Sequence, residues 1–197
     1  MLQVTVALPS GSSEKFSIPQ SSKVGDLKVL AQKSFQRGFL KLVAADHSLM
    51  DPTVSLQAAG LQDGLHVTAI VLEAQLAATD AAFALFCSGG DRVVTWGKPN
   101  RGGDSSEVQD QLKGVQQLQA TERAFAAILA DGSVVTWGDP LHGGDSSEVQ
   151  DQLKGVQQLQ ATHEAFAAIL ADGSVVTWGK SESGGDSSAV AGQFAYM

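Results

Sequence analysis

The chain has 197 residues, of which 43% are hydrophobic and 17% are charged, and its formal net charge is −8. This length accommodates one large domain or two small ones. Residues 1–73 carry six basic and six acidic residues, whereas the remainder carries seven basic and fifteen acidic ones. Nucleic acids are bound by clustered Lys and Arg, and neither half of the chain has such a cluster. The sequence therefore predicts no nucleic-acid partner.

Cysteine content and hydropathy restrict the compartment. Cys87 is the only cysteine, which excludes an intramolecular disulfide and fits a reducing environment. The first residues, MLQVTVALPSG, lack the basic and apolar regions of a secretory signal. Apolar runs such as AAFALFC at 81–87 are far shorter than the ~20 residues that span a bilayer. We therefore expect a cytoplasmic protein, with the nucleus as the alternative, and no membrane partner.

Residues 1–73 show the pattern of a small mixed domain. An alternating first strand is followed by a turn at PSGS and a second strand, and then by a helix in SSKVGDLKVLAQKSF that Ser22 caps. The segments FLKLVAADHSLMD and LQDGLHVTAIVL predict a strand pair and a last strand. The apolar positions that carry this prediction are Val4, Val6, Phe16, Ile18, Val24, Leu27 and Ala31.

This element order resembles the ubiquitin-like β-grasp domain, and the spacing of KLVAADHSLMD at 41–51 matches that of the corresponding ubiquitin segment without a gap. The resemblance implies a mixed sheet on one helix. The exit IVLEAQLAATD has no diglycine, so we do not expect a conjugated modifier. The resemblance also implies an apolar protein-binding patch, for which the alternative is simple membership of the sheet or of a domain interface. The implied patch consists of Leu8, Pro9, Val43 and Ile70.

The rest of the chain, 74–197, is repetitive. Trp96, Trp137 and Trp178 are spaced 41 residues apart, and the segments 97–137 and 138–178 differ at five positions. The differences are polar or loop-like, so we expect these side chains to face solvent in variable loops. They are Lys98, Asn100, Arg101, Glu122 and Arg123 in one copy and Asp139, Leu141, His142, His163 and Glu164 in the other.

Each repeat predicts three strands and a turn. In the best copy the strands are 156–162, 165–171 and 174–178, with Val156 and Leu159 on opposite faces. Asp172-Gly173 predicts a type I′ hairpin turn, and the equivalent pair Asp131-Gly132 predicts the same turn in the preceding copy. The segment DSSEVQDQL at 145–153 predicts a short helical turn with Asp and Ser caps. The tryptophans predict buried aromatics at the ends of the hairpins.

The hairpin letters DG…WG resemble the RCC1-like repeat, whose blades form a closed propeller that usually has seven members. Units at about 75–96, 97–137 and 138–178, with a partial copy at 179–197, are too few for such a ring. We expect a fragment, a pairing with other copies through open repeat edges, or a smaller stack. The predicted fold class is an α+β ubiquitin-like β-grasp domain plus a mainly-β RCC1-like repeat domain, as a partial propeller or an open repeat stack.

No constellation in the sequence predicts catalysis. Cys87 lies in an apolar run without a local group that would lower its pKa, so it reads as a small core residue. The histidines His47, His66, His142 and His163 show no metal-ligand spacing. We found neither a P-loop nor a G-x-S-x-G elbow. The expectation is therefore no enzyme, no catalytic residue, no metal and no cofactor.

The leading functional hypothesis is a non-enzymatic adaptor. Its ubiquitin-like head would bind ubiquitin receptors or the proteasome, and its acidic repeats would bind another protein. The alternatives are a small-GTPase regulator that promotes nucleotide exchange, by analogy with RCC1, and a truncated repeat-family member without independent activity. The GTPase alternative rests on fold alone, which does not specify function.

Overall fold

A computed structural model describes residues 1–90 and 92–194. The chain divides into two compact units, Met1–Glu73 and Ala74–Met197. Within the described residues, no helix has the length and apolar character needed to cross a membrane.

The N-terminal unit has the β-grasp arrangement, with four strands on one helix. The elements are β1 (Leu2–Ala7), β2 (Ser13–Ile18), α1 (Val24–Ser34), β3 (Leu40–Val43) and β4 (His66–Val71). Strands β1 and β4 are parallel neighbours at the centre of the sheet, β2 and β3 lie outside them, and the order is β2-β1-β4-β3. Alternation places one face of each strand against helix α1 and leaves the other face uncovered by it.

The core of this unit follows the predicted apolar positions. Val24, Leu27 and Ala31 are buried on one face of α1, as the i, i+3, i+7 spacing predicts. The N-cap is Lys23 instead of the predicted Ser22, because the Asp26 carboxylate accepts the Lys23 backbone N–H at 2.8 Å and starts the helix one residue later. The strand predicted after β3 is reduced to a single bridge between residues 43 and 49.

The second unit consists of three-stranded antiparallel sheets, one per repeat. A 3-10 turn follows each sheet, at Pro99–Arg101, Pro140–His142 and Ser181–Ser183. The first repeat contains β5 (Ala74–Ala78), β6 (Ala82–Cys87) and β7 (Val93–Gly97); the second contains β8 (Val115–Ala120), β9 (Ala124–Leu129) and β10 (Val134–Gly138); the third contains β11 (Val156–Ala161), β12 (Ala165–Leu170) and β13 (Val175–Gly179), after which comes α2 (Ala191–Phe194).

The hairpin turn differs from the predicted type I′ turn. Gly173 has a φ of 82°, but Asp172 is not in the positive-φ region, which a type I′ turn requires at both central residues. The Gly173 N–H donates to the Leu170 carbonyl, and the Leu170 N–H donates to the Ser174 carbonyl. These bonds define a three-residue loop with glycine in the left-handed position. The Asp172 carboxylate stabilises it by accepting the Ser174 backbone N–H at 2.9 Å.

In each full repeat, a bulge in the first strand changes the side of the sheet on which its first residue lies. The register with β12 shifts between Val156 and Gln158, so the extra residue turns Val156 to the same side as Leu159, and both are buried in one cluster. The prediction that they lie on opposite faces was wrong for this reason. The predicted helical turn at 145–153 is a run of turns, in which Asp145 accepts the Ser147 backbone N–H at 2.9 Å.

Neighbouring repeats bury their sheets against each other. One apolar cluster joins the first and second repeats and another joins the second and third. Side-chain amides add hydrogen bonds across these interfaces, since Gln75 accepts the Leu118 N–H at 2.7 Å and Gln117 donates to the Leu159 carbonyl at 3.0 Å. A single three-stranded sheet cannot cover both of its faces, so the stability of each repeat depends on its neighbour.

Candidate functional site

Each unit presents one candidate binding region. In the N-terminal unit it is the sheet face that α1 does not cover, which we call the outer face and which includes Lys41, Val43, Thr68 and Ile70. In the repeats it is a group of charged side chains between the second and third sheets, which we call the junction cluster. Its members are Glu122, His142, His163, Glu164 and Lys180.

The outer face joins two of the predicted patch residues. Lys41 pairs with Ile70 and Val43 pairs with Thr68 across β3 and β4, so all four side chains share one face. Ile70 is 41% exposed, whereas Val43 is buried. Ile70 is therefore the accessible aliphatic side chain on this face.

The other two patch residues lie in the turn after β1. Leu8 is partly buried and packs against the core of the unit. Its N–H donates to the Ser12 carbonyl at 2.8 Å, which closes the turn and holds Leu8 beside the sheet. Pro9 is exposed at the tip of this turn. Leu8 is thus half-buried at the margin of the core, next to the exposed Pro9.

The repeated tryptophans bind the preceding repeat. Trp137 stacks on Phe125 with ring centroids 5.2 Å apart, and its Nε1–H donates to the Gly102 carbonyl at 3.0 Å. Trp178 repeats both contacts with Phe166 and with the Gly143 carbonyl. Both indoles are buried, as predicted.

Trp96 departs from this pattern. It stacks on Phe83 at 5.3 Å, but it is 45% exposed, because no repeat in the described part of the chain covers this face of the first sheet. The prediction of a buried aromatic was wrong here. The roles of Phe125 and Gly102 escaped prediction from the sequence, although both recur 41 residues later, at Phe166 and Gly143, as the tryptophans do.

The junction cluster gathers residues that differ between the copies. His163 Nε2 lies 3.3 Å from Glu122 Oε2, and His142 Nε2 lies 3.4 Å from Glu164 Oε1. Lys180 Nζ lies 2.8 Å from Glu164 Oε2. These groups lie far apart in the sequence, and stacking of the second and third repeats brings them together.

His142 corrects the expectation that all the variable residues face solvent. It is 7% exposed, because the 3-10 turn Pro140–His142 points its ring between the carboxylates of Glu122, Asp139 and Glu164. Glu122, Arg123, Asp139 and Glu164 are half-buried. The other variable residues are Lys98, Asn100, Leu141 and His163, which are exposed, and Arg101, which is half-buried and forms an ion pair with Asp80.

Glu164 is the most strongly held carboxylate of the cluster. Its pKa is lowered mainly by the hydrogen bond from Lys180, and then by the bond that the Ser183 hydroxyl donates at 2.8 Å. The same contact with Glu164 raises the pKa of Lys180. The pair therefore favours the charged forms of both groups.

The junction cluster also has the composition of a metal site. Ligand atoms of Glu122, His163 and Glu164 lie within 4.8 Å of one another. Imidazole nitrogen and carboxylate oxygen are ligands for Zn²⁺ and similar ions. Arg123 and Lys180, however, already provide cationic partners for the two carboxylates. Ion pairs between side chains therefore account for the cluster.

We expect Glu164→Gln to lower the free energy of unfolding of the repeats at neutral pH. A lowered carboxylate pKa contributes stability above the ordinary value of 4.5, and this contribution disappears as the pH falls through the lowered value. The difference between the wild type and the variant should therefore be largest near neutral pH and vanish in acid. Urea denaturation monitored by tryptophan fluorescence at several pH values measures it.

Asp151→Asn is the matched control for Glu164→Gln. Asp151 forms an exposed ion pair with Lys154 at 3.8 Å, and exposed pairs contribute little stability. We expect an unchanged urea midpoint for this variant. A pH-independent loss in Glu164→Gln would contradict the role of the ionised carboxylate.

Comparison with known proteins gives partial structural similarities. No family model and no curated protein sequence matches the chain. A structure described as ATBAG1 in complex with HSP70 has a TM-score of 0.34 and 19% identity, over 36% of this chain and 40% of that one. The ubiquitin-like domain of the 4931431F19Rik protein has a TM-score of 0.33 and 22% identity, over 36% of this chain and 73% of that one. The ubiquitin of Caldiarchaeum subterraneum has a TM-score of 0.34 and 15% identity, over 36% of this chain and 91% of that one.

Proposed function

We propose that this chain is a non-enzymatic protein-interaction protein, and that its ubiquitin-like head binds receptors of the ubiquitin–proteasome system through the outer face. The observation that carries the proposal is Ile70, an aliphatic side chain 41% exposed on a central strand of the sheet. An apolar anchor within a polar surface is a common basis of protein recognition.

The surroundings of Ile70 support this choice of surface. Its cross-strand neighbour is Lys41, and the exposed His66 lies on the same face of β4. The face thus combines an apolar centre with a polar rim, as protein interfaces do. Helix α1 packs on the other side of the sheet and leaves this face uncovered.

The proposal predicts that Ile70→Lys weakens binding of the full chain to a purified proteasomal ubiquitin receptor by about tenfold or more, since a charge replaces the apolar anchor. Fluorescence anisotropy with the labelled receptor measures the dissociation constant. Val29→Lys is the matched control, because Val29 is similarly exposed but lies on α1. Absence of binding by the wild type, or equal weakening by both variants, would contradict the proposal.

A further inference from the structure

The interface between successive repeats is built twice in this chain from the same parts. The upstream repeat provides a glycine turn, whose carbonyl accepts the indole N–H of the downstream repeat at 3.0 Å. The downstream repeat provides a Phe–Trp stack. A backbone hydrogen bond accompanies each contact: Asp80 N–H donates to the Glu122 carbonyl at 2.9 Å, and Glu122 N–H donates to the His163 carbonyl at 2.8 Å.

A third Phe–Trp stack has no glycine turn against it among the described residues. Trp96 is 45% exposed and Phe83 is 42% exposed, whereas their equivalents in the second repeat, Trp137 and Phe125, are 5% and 0% exposed. Two further exposed apolar residues lie on the same sheet and have buried equivalents in the second repeat. We call this four-residue surface the upstream face; its members are Leu76, Phe83, Val94 and Trp96.

A third glycine turn has no Phe–Trp stack against it in the part of the chain that the structure describes. Gly184 follows the 3-10 turn Ser181–Ser183 and has the left-handed conformation of Gly143, with φ of 99° against 87°. A Cβ on Gly143 would lie 2.7 Å from Phe166, but within the described chain nothing lies within 4 Å of a Cβ on Gly184. Ile169 on the same repeat is exposed, whereas its equivalent Ile128 is buried. We call Ile169 and the Gly184 turn the downstream face.

We propose that the upstream face of one copy of this chain binds the downstream face of a second copy. The partner is inferred to be a second copy, because the two faces are equivalent to the two sides of the interface that already forms twice within the chain. Trp96 of the second copy then donates its indole N–H to the Gly184 carbonyl. The His163 N–H donates to the carbonyl of Asp80 in that copy, by the pattern of the internal interfaces.

Charge complementarity supports the same pairing. In the interface between the second and third repeats, His163 Nε2 lies 3.3 Å from Glu122 Oε2. Between copies, the equivalent positions are occupied by His163 and by Asp80 of the second copy. An imidazole again faces a carboxylate, which is a favourable pair whenever the imidazole is protonated. Because the two faces differ, the contact is head-to-tail and generates a ring or an open chain of copies.

Sedimentation velocity over a range of concentrations tests the proposal on the full chain. The wild type should associate reversibly. Trp96→Ala removes the indole and its N–H donor, whereas Gly184→Ala adds a Cβ that would meet Phe83 of the second copy, as a Cβ on Gly143 would meet Phe166 at 2.7 Å. Each variant should therefore raise the dissociation constant by ~30-fold or more. Ile169→Lys is a second variant of the downstream face that leaves the turn intact. Leu141→Ala is the control, since Leu141 is exposed but belongs to neither face.

Mixing the variants gives the sharper result. Trp96→Ala retains the downstream face and Gly184→Ala retains the upstream face, so an equimolar mixture should form a one-to-one dimer that grows no further. Circular dichroism verifies that each variant is folded. A wild type that stays monomeric at all concentrations, association that survives Trp96→Ala, or a mixture that remains monomeric would each overturn the proposal. These results are independent of receptor binding by the outer face.

Discussion

Trp137→Ala is expected to lower the free energy of unfolding of the repeats by about 3–5 kcal/mol, which is the usual cost of removing a buried aromatic side chain. The indole is buried between two repeats, stacks on Phe125 and donates a hydrogen bond to the Gly102 carbonyl. Its loss leaves a cavity and an unpaired carbonyl in the interface. The effect should therefore reach both the first and the second repeat.

Trp96→Ala is the matched control, because it removes the same residue from the same local sequence, VVTWG. Trp96 is 45% exposed and stacks on Phe83, and no repeat within the described residues covers it, so we expect a loss of about 1 kcal/mol. All three tryptophans lie in the repeats, and urea denaturation followed by their fluorescence reports on this unit. Both variants should be measured at a concentration at which the chain is monomeric, because Trp96 belongs to the face that we propose binds a second copy. Equal losses for the two variants would contradict the role of stacking.

Gly143→Ala is expected to destabilise the repeats by about 2–5 kcal/mol. A φ of 87° strains any residue with a Cβ by about 1–2 kcal/mol. The new methyl group would also lie 2.7 Å from the Phe166 ring, and overpacking of this kind adds about 1–3 kcal/mol. Thermal or urea denaturation of the full chain measures the sum.

Gly184→Ala separates these two contributions. Its φ is 99°, but a Cβ there meets nothing within 4 Å among the described residues. We expect only the backbone strain of about 1–2 kcal/mol in the monomeric chain. The difference between the two glycine variants is then the packing contribution of the Phe166 contact. If Gly184→Ala proved as destabilising as Gly143→Ala, the glycine turn would matter for its backbone alone.

The fold of each unit could be predicted from sequence to a large extent. Apolar spacing located the core face of α1, and the 41-residue repeat located three similar hairpins. These features depend on local periodicity and on near-identity of the copies. The turn type and the Val156 bulge escaped prediction, because a one-residue shift in pairing is decided by hydrogen bonds between strands and leaves no signal in composition.

The candidate sites were less accessible to sequence reasoning. Ile70 was predicted from a resemblance, and its register opposite Lys41 came only with the sheet. The differences between the copies marked His142 and Glu164 as variable, but variation alone gave no indication that they would meet. A contact between residues of different repeats depends on how the repeats stack, and that stacking has no local sequence signature.

By itself, the sequence determined that the chain repeats one three-stranded unit after an N-terminal β-grasp domain, because strand and turn preferences act over a few residues. Only the tertiary structure decided which copies of the same residue are buried. Trp96 and Trp137 share their local sequence, and each stacks on a phenylalanine. Trp96 is nevertheless exposed, whereas Trp137 is buried. The reason is that burial of a repeat is provided by its neighbour, which lies outside the repeat's own sequence.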